Sequence, residues 1–359
     1  MKIIVTGGCG FIGSALVRHL IATTDWHVVN LDSLTYAGQP ENVGAALGNP
    51  RYKLVTGDIT DANLLDDLFR AEQPDGIMHL AAESHVDRSI DGPGAFLKTN
   101  VIGTYELLQA ARRYLQASPA KAAIFRFHHV STDEVFGALT EADAAFTETT
   151  PYSPRSPYSA TKAASDHLVN AWHHTFGLNV VLSNCSNNYG PYQYPEKLIP
   201  ATILRALSGQ PIQVFGAGQQ MRDWIHVDDH VTGLLAVFKG GKVGESYNIG
   251  GHGDARNLDI VHAICDVLDT VEPRADGQSY RTQITFVTDR PGHDFRYAIN
   301  PEKINTQLGW HAQISFAQGI RSTVEWYLAN RGWWQNLAHA TQRIGGVASL
   351  PNTNQKASA

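Results

Sequence analysis

The chain has 359 residues, 43% of them hydrophobic, with a formal net charge of −6 and a pI near 6.2. That length allows a large core and two lobes. The acidic balance argues against a nucleic-acid binder, which usually carries a basic face, and no apolar run reaches the roughly 18 residues a membrane helix needs. Cys9, Cys185 and Cys265 are odd in number and scattered, without metal-like spacing. They predict free thiols in a reducing, cytoplasmic compartment and no metal site. The first residues run straight into a strand and leave no room for a signal peptide.

Lys2-Ile3-Ile4-Val5 reads as a short buried strand, followed at once by Thr6-Gly7-Gly8-Cys9-Gly10-Phe11-Ile12-Gly13. A helix is expected over 14–22, then a second strand over 27–31 that ends on Asp32, about 20 residues beyond the last glycine. In such a unit the glycines permit a tight turn, and a pyrophosphate sits at the helix N-terminus. Asp32 can accept hydrogen bonds from an adenosine ribose and repels a 2′-phosphate, which favours NAD over NADP. Cys9, inside the loop, reads as a small packing residue rather than a reactive thiol.

A third strand over 52–56 leads to Asp58, which could meet the adenine or cap a helix starting near Asp61. A fourth, over 76–80, ends in Ala81-Ala82-Glu83-Ser84-His85, where two alanines leave room for a dinucleotide. His85 has no partners at ligand spacing and is not read as a metal ligand. A long helix is expected over 96–115. The apolar run 122–130 reads as a fifth buried parallel strand. It brings Ser131-Thr132-Asp133-Glu134 to the sheet's carboxyl end, where ligands sit in open α/β sheets. Residues 139–150 read as a surface excursion.

Pro151, Pro154 and Pro157 bracket a helix running from Tyr158 to about residue 176, and the i, i+4 spacing puts Tyr158 and Lys162 on one face. A phenol ionises near pH 10, so service as a base near neutrality requires lowering by about 3 units, or about 4 kcal/mol. A fixed ammonium and a cationic nicotinamide are candidate sources. Thr132, Tyr158 and Lys162 with NAD make a hydride-transfer site. Asp133 and Glu134 exceed what a dehydrogenase needs and suit an elimination beside a newly formed ketone. One would remove the acidified C–H proton, and the other would protonate the departing hydroxyl. That division requires environments that keep one acid ionised and the other neutral. The alternative role for the two acids is capping the turn after the strand.

A sixth strand is expected over 179–184. Shorter elements and several glycine turns beyond it suggest a smaller lobe over the sheet's carboxyl edge. The expected architecture is therefore α/β: a Rossmann-type, doubly wound parallel sheet over 1–188 that binds NAD, and an interleaved C-terminal α/β substrate lobe over 189–330. Part of 223–250 is expected to return to the first unit, and 335–359 reads as a mobile tail.

Four stretches carry a resemblance. They are Ala81-Ala82-Glu83-Ser84-His85-Val86-Asp87-Arg88-Ser89-Ile90, Ser131-Thr132-Asp133-Glu134-Val135, Ser183-Asn184-Cys185-Ser186-Asn187-Asn188-Tyr189-Gly190-Pro191-Tyr192 and Asp289-Arg290-Pro291-Gly292-His293. Through them the chain resembles the extended short-chain dehydrogenase/reductases and, among these, the dTDP-glucose 4,6-dehydratase family, from residue 1 to about 328. The resemblance implies that Tyr158 is the base for C4 oxidation, that Glu134 removes the C5 proton and that Asp133 protonates the leaving C6 hydroxyl. Hydride then returns to C6, giving a 4-keto-6-deoxy sugar nucleotide. Cofactor contacts are implied at Phe11, Ile12, Asp32, Asp58, Ile59, Leu80, Ala81, Ala82, Ser84, Thr99, Tyr158, Lys162 and Asn188, beside the loop glycines Gly7, Gly10 and Gly13. Substrate contacts are implied at Ser84, Thr132, Asn187, Lys197, Leu198, Gln213, Val214, Phe215, Arg222, Asn257, Asp289, Arg290, Pro291, Gly292 and His293.

Arg222 and Arg290 suit a diphosphate, which favours forked guanidinium donors. Phe215 reads equally as core or as a stacking surface for the nucleotide base. Phe136 and Cys9 depart from the Tyr and Ala that relatives often carry. The competing readings are a sugar-nucleotide 4-epimerase, which has no need for Asp133 and Glu134, a dehydratase acting on another nucleotide's sugar, and a non-catalytic NAD sensor. The resemblance also implies a homodimer paired through the 96–115 and 158–176 helices.

Overall fold

The computed structural model describes residues 1–251, 253–289 and 293–341. In chain order the strands are β1 (Lys2–Thr6), β2 (His27–Asp32), β3 (Tyr52–Thr56), β4 (Gly76–His79), β5 (Arg126–Thr132), β6 (Val180–Cys185), β7 (Asn187–Tyr189), β8 (Ile212–Phe215), β9 (Met221–His226), β10 (Ser246–Ile249), β11 (Asp254–Arg256), β12 (Ile284–Val287) and β13 (Arg296–Tyr297). Seven of them form one parallel sheet in the order β10-β6-β5-β4-β1-β2-β3. The order reverses between β1 and β4, and the carboxyl ends of that pair flank the crevice where such sheets bind ligands.

The central strands read as unbroken apolar runs because both faces are covered. Ile3 and Val5 of β1 pack with Leu16 and Leu20 of the Phe11–Thr23 helix and Leu234 of the Val227–Gly240 helix. Ile4, pointing the other way, joins Leu65, Leu107 and Val169 of the Ala62–Glu72, Thr104–Ala117 and Pro157–Phe176 helices.

After β6 the chain leaves the sheet to begin a second lobe. There β9 pairs with β7, β11 and β13, and β8 pairs with β12. Its core gathers Ile199, Ile203, Ile260, Ile264 and Val324 from the Leu198–Leu207, Asn257–Val271 and Phe316–Ala329 helices. The chain then returns through the Val227–Gly240 helix, lays β10 beside β6 and departs again.

Three expectations need correction. The first turns of the 96–115 helix are π-helical over Leu97–Gly103, ahead of regular helix from Thr104. The fifth strand starts at Arg126 rather than 122, because Pro119 opens a short helix over Pro119–Ala122 and Ile124 faces solvent. The tail expected from 335 begins inside a helix, Arg331–Thr341, while 342–359 lie outside the described residues. Among the described residues no helix is long and apolar enough to cross a membrane.

Candidate active site

The turn after β1 brings backbone against backbone. Gly7 sits at φ +71, and a Cβ there would lie 2.8 Å from the Ala81 Cα. At Gly13 a Cβ would lie 2.0 Å from the Gly7 carbonyl oxygen. Only glycine fits either contact. The Phe11–Thr23 helix starts from Gly10, and no side chain caps it. Its first N–H groups therefore suit an anion. At the end of β2, Asp32 is buried, with Oδ2 accepting from the Cys9 N–H and Oδ1 from the Leu34 N–H, each at 2.8 Å. Burial raises its carboxyl above the ordinary range, and these two donors oppose the rise.

Cys9 is buried, its sulfur accepts from the Asn30 amide at 3.2 Å, and burial pushes its thiol up to about 12. That is a packing role, not a reactive one. Asp61 caps the Ala62–Glu72 helix through the Leu64 N–H, whereas Asp58 accepts from the Thr60 N–H at 2.9 Å.

The loop after β4 is anchored from two sides. The Thr6 hydroxyl accepts from the N–H groups of Leu80 and Ala81 at 3.2 and 3.1 Å. The Asn100 side chain, in the π-helical turn, bonds both the N–H and the carbonyl of Glu83 and donates to the Thr161 hydroxyl at 3.0 Å. Asn100 thereby ties this loop to the helix that carries Tyr158. His85 caps the next short helix through the Arg88 N–H.

At the end of β5, Thr132 caps the turn Asp133–Phe136, its hydroxyl accepting from the Glu134 N–H at 3.3 Å. Capping thus falls to the threonine and leaves the acids for other work. Asp133 is almost fully buried, and its Oδ2 has no hydrogen-bond partner among the described residues. Burial first, then the charges of Glu134 and Asp223, push it well above the usual carboxylate range, while Glu134 is only half-buried. The environments of the two acids differ, as an acid–base pair requires.

Tyr158 opens its helix behind a Ser156–Ser159 capping box and is buried. Burial, then the charge of Glu134, raises its phenol well above 10. The chain alone therefore moves Tyr158 away from basicity, the reverse of what a general base needs. Lys162 donates from Nζ to the Val130 carbonyl at 2.9 Å, and its ammonium is lowered by burial against the opposing charge of Asp166.

One cavity of about 350 Å³ brings these groups together. It is lined by every residue expected to contact the cofactor and by Thr132, Asp133 and Glu134. Of the expected substrate residues, Ser84, Asn187 and Lys197 also line it, and Lys197 reaches the Ser84 carbonyl at 3.1 Å. The carbonyl oxygens of the Asn187 and Asn188 side chains are buried without protein partners.

The other expected substrate residues that the structure describes do not line the cavity. Leu198 packs on the second-lobe core, and Gln213 and Phe215 face outward on β8. Phe215 is 42% exposed and so is not a core residue. Val214 points into that core, which leaves only its backbone to meet a ligand. Arg222 is buried on β9, donating to the carbonyls of Met221, Asp294 and Phe295 and lying 4.3 Å over the Tyr297 ring. Asn257 heads its helix, and Asp289 meets Gln220 and His293, each at 2.7 Å. Arg290, Pro291 and Gly292 lie outside the described residues.

The cavity wall also includes Glu83, within the loop over 80–84 expected to meet the cofactor, and Tyr36, Ser186, Gln193, Tyr194 and Glu196, for which no contact was expected. Glu196 could have been suspected from its place beside Lys197. Tyr36 gave no local signal, since its partners are distant in sequence: Glu196 at 3.4 Å and the Arg88 guanidinium 3.6 Å over its ring.

The residues present fit NAD. A glycine turn too tight for any Cβ, an uncapped helix start and a buried carboxylate at the end of β2 are the parts a dinucleotide requires, in the order it requires them.

A family profile described as GDP-mannose 4,6 dehydratase matches residues 4–323. The chain is 55% identical over 350 residues to a dTDP-glucose 4,6-dehydratase of Shigella flexneri, covering 95% of this chain and 96% of that one. Its fold is similar to DesIV, a dTDP-glucose 4,6-dehydratase of Streptomyces venezuelae solved with NAD and TYD bound. That match has a TM-score of 0.86 and 44% identity, and covers 94% of this chain and 100% of that one. A UDP-glucose 4-epimerase of Thermotoga maritima is also similar, with a TM-score of 0.81 but 26% identity over 92% of this chain and 100% of that one. Matched in sequence and fold along nearly its whole length, the chain belongs to the dTDP-glucose 4,6-dehydratases, within the extended short-chain dehydrogenase/reductases.

Proposed function

We propose that this protein is a hydro-lyase that converts dTDP-glucose to dTDP-4-keto-6-deoxyglucose with retained NAD. When bound, NAD supplies a positive charge and reversible hydride acceptance. The Thr132 hydroxyl orients the sugar's C4 hydroxyl, and Tyr158 takes its proton. Lys162 holds an ammonium one turn along the same helix face, stabilising the phenolate. The new C4 ketone acidifies the C5–H. Glu134, half-buried and nearer solvent, removes that proton. Asp133, kept neutral by burial, gives its proton to the departing C6 hydroxyl, which leaves as water. The hydride then returns to C6 and Glu134 gives its proton back to C5, which completes the 4-keto-6-deoxy sugar.

The observation that carries this reading is the pair of carboxyl groups in unlike environments, sharing one cavity with Tyr158 and Lys162. A 4-epimerase has no use for that pair. Incubation with dTDP-glucose should yield the alkali-induced chromophore of a 4-keto sugar. Epimerised sugar without loss of water would replace this reading with the epimerase.

Lys197, Arg222, Asn257, Asp289 and His293 are proposed to hold the nucleotide end, with Phe215 stacking on the base. A homodimer is proposed through the Leu97–Gly103 and Pro157–Phe176 segments, where Leu97, Ile102 and Phe176 are exposed. A monomer at micromolar concentration in light scattering would refute it. Three unpaired, buried cysteines support a cytoplasmic setting.

A further inference from the structure

In the reaction proposed above, hydride leaves the sugar and later returns to it. A protein that released NAD between those steps would lose the electrons, so cofactor retention is part of the chemistry. One arrangement behind the glycine loop bears on it. Asn42, on the buried side of the turn Pro40–Ala46, donates from Nδ2 to the Cys9 carbonyl at 2.8 Å. The N–H of the same Cys9 donates to Asp32. Asn42 Oδ1 in turn accepts from Trp333 Nε1 at 2.9 Å. Trp333 lies on the Arg331–Thr341 helix, beyond the segment the family profile matches.

The clasp has a second arm. Arg18, on the glycine-loop helix, donates to the Asn42 carbonyl and lies 4.5 Å over the Tyr192 ring. The Tyr192 ring lies tilted 4.5 Å from that of Trp326, which meets Trp333 edge-on at 5.2 Å. Tyr192 holds φ +67, a conformation uncommon for a residue with a side chain. It belongs to the loop that lines the cavity with Asn187, Asn188 and Lys197. Local strain of that kind persists only where surrounding contacts enforce it.

We propose that Trp333 is a positioning residue of the cofactor site: through Asn42 it fixes the Cys9 turn that presents Asp32, and so slows the release of NAD. The inference rests on the NAD-dependent reading above but not on the identity of the sugar.

The test uses the purified holoenzyme and Trp333→Phe, which keeps a six-membered aromatic ring against Trp326 and removes the indole N–H donor. Exchange of bound NAD for labelled NAD should be about fivefold faster, as expected for one buried hydrogen bond. Turnover at saturating NAD should match wild type. Asn42→Ala should speed exchange similarly, and the double variant should add little, because both changes break one chain of contacts. Exchange at the wild-type rate in Trp333→Phe would overturn the proposal, even if its melting temperature fell. Exchange is read without sugar, so failure of the dehydratase reading is separately visible as absent keto-sugar formation.

Discussion

The NAD half of the site is assembled from short contiguous stretches at the ends of parallel strands, whereas the sugar-nucleotide half is drawn from positions scattered through the second lobe. Asp32, Thr132, Tyr158 and Lys162 are buried, and Asp32, Thr132 and Lys162 are held by bonds to backbone groups. Gln213 and Phe215 face outward, and the Arg222 guanidinium is bonded to neighbouring carbonyls. The proposed chemistry is thus preorganised, as electrostatic catalysis requires, while the residues proposed for the nucleotide are in part exposed or bonded to neighbouring carbonyls. Changes in the first half should fall on kcat and changes in the second on KM.

The largest effect is expected at Glu134. Glu134→Gln should cut dehydration about a thousandfold, within the range of general-base catalysis, yet still allow the reduced cofactor's absorbance to rise when sugar is added. Wild-type dehydration by this variant would remove Glu134 from its role. Across the divide, Arg222→Ala should raise KM for dTDP-glucose roughly 10–100-fold with little change in kcat, the value of a charge-assisted bond to phosphate. A fall in kcat alone would place Arg222 with the preorganised half.

That half should also be acid-labile. Burial lowers His128 to about 3, His129 to about 4 and His230 to about 3, and lowers His79 as well. Each is neutral when folded but takes a proton near pH 6.5 when unfolded. Their stabilisation is full above that pH and is lost as pH falls toward 4, about tenfold per pH unit for each histidine in the folding equilibrium. Asp223, raised to about 6, and the raised carboxyls of Asp32, Glu83, Asp133 and Glu196 act in the opposite direction and reduce that loss. Denaturant titrations between pH 7 and 4 that showed constant stability would contradict this. The smallest effect is expected at Phe215→Ala, about three- to tenfold in KM, the value of one aromatic stack.

Much of this was legible in the sequence because it is local. The Gly7-to-Asp32 unit, the Thr132-Asp133-Glu134 strand end and the Tyr158–Lys162 pair each declare themselves within a few residues, and all meet in one cavity. Strand and helix edges were less legible. The run at 122–124 leads without a break in apolar character into Phe125, and only the turn in which the Ile124 and Phe125 N–H groups bond the Lys121 carbonyl separates it from the strand. Tyr36 was invisible because the partnership that places it, with Glu196, spans 160 positions. The direction of the Tyr158 shift also escaped, since spacing shows Lys162 nearby but not the burial that outweighs it.

The late arrival of β10 has a consequence for how the molecule is made. Until residues 246–249 emerge from the ribosome, β6 presents an open edge, with unpaired backbone groups on the strand that completes the catalytic wall. The nascent first lobe must wait for the opening elements of the second, β7 to β9, to be synthesised before that edge is covered. Neither lobe corresponds to a continuous stretch of chain, so exchanging lobes between relatives would require cutting at three places at least rather than one.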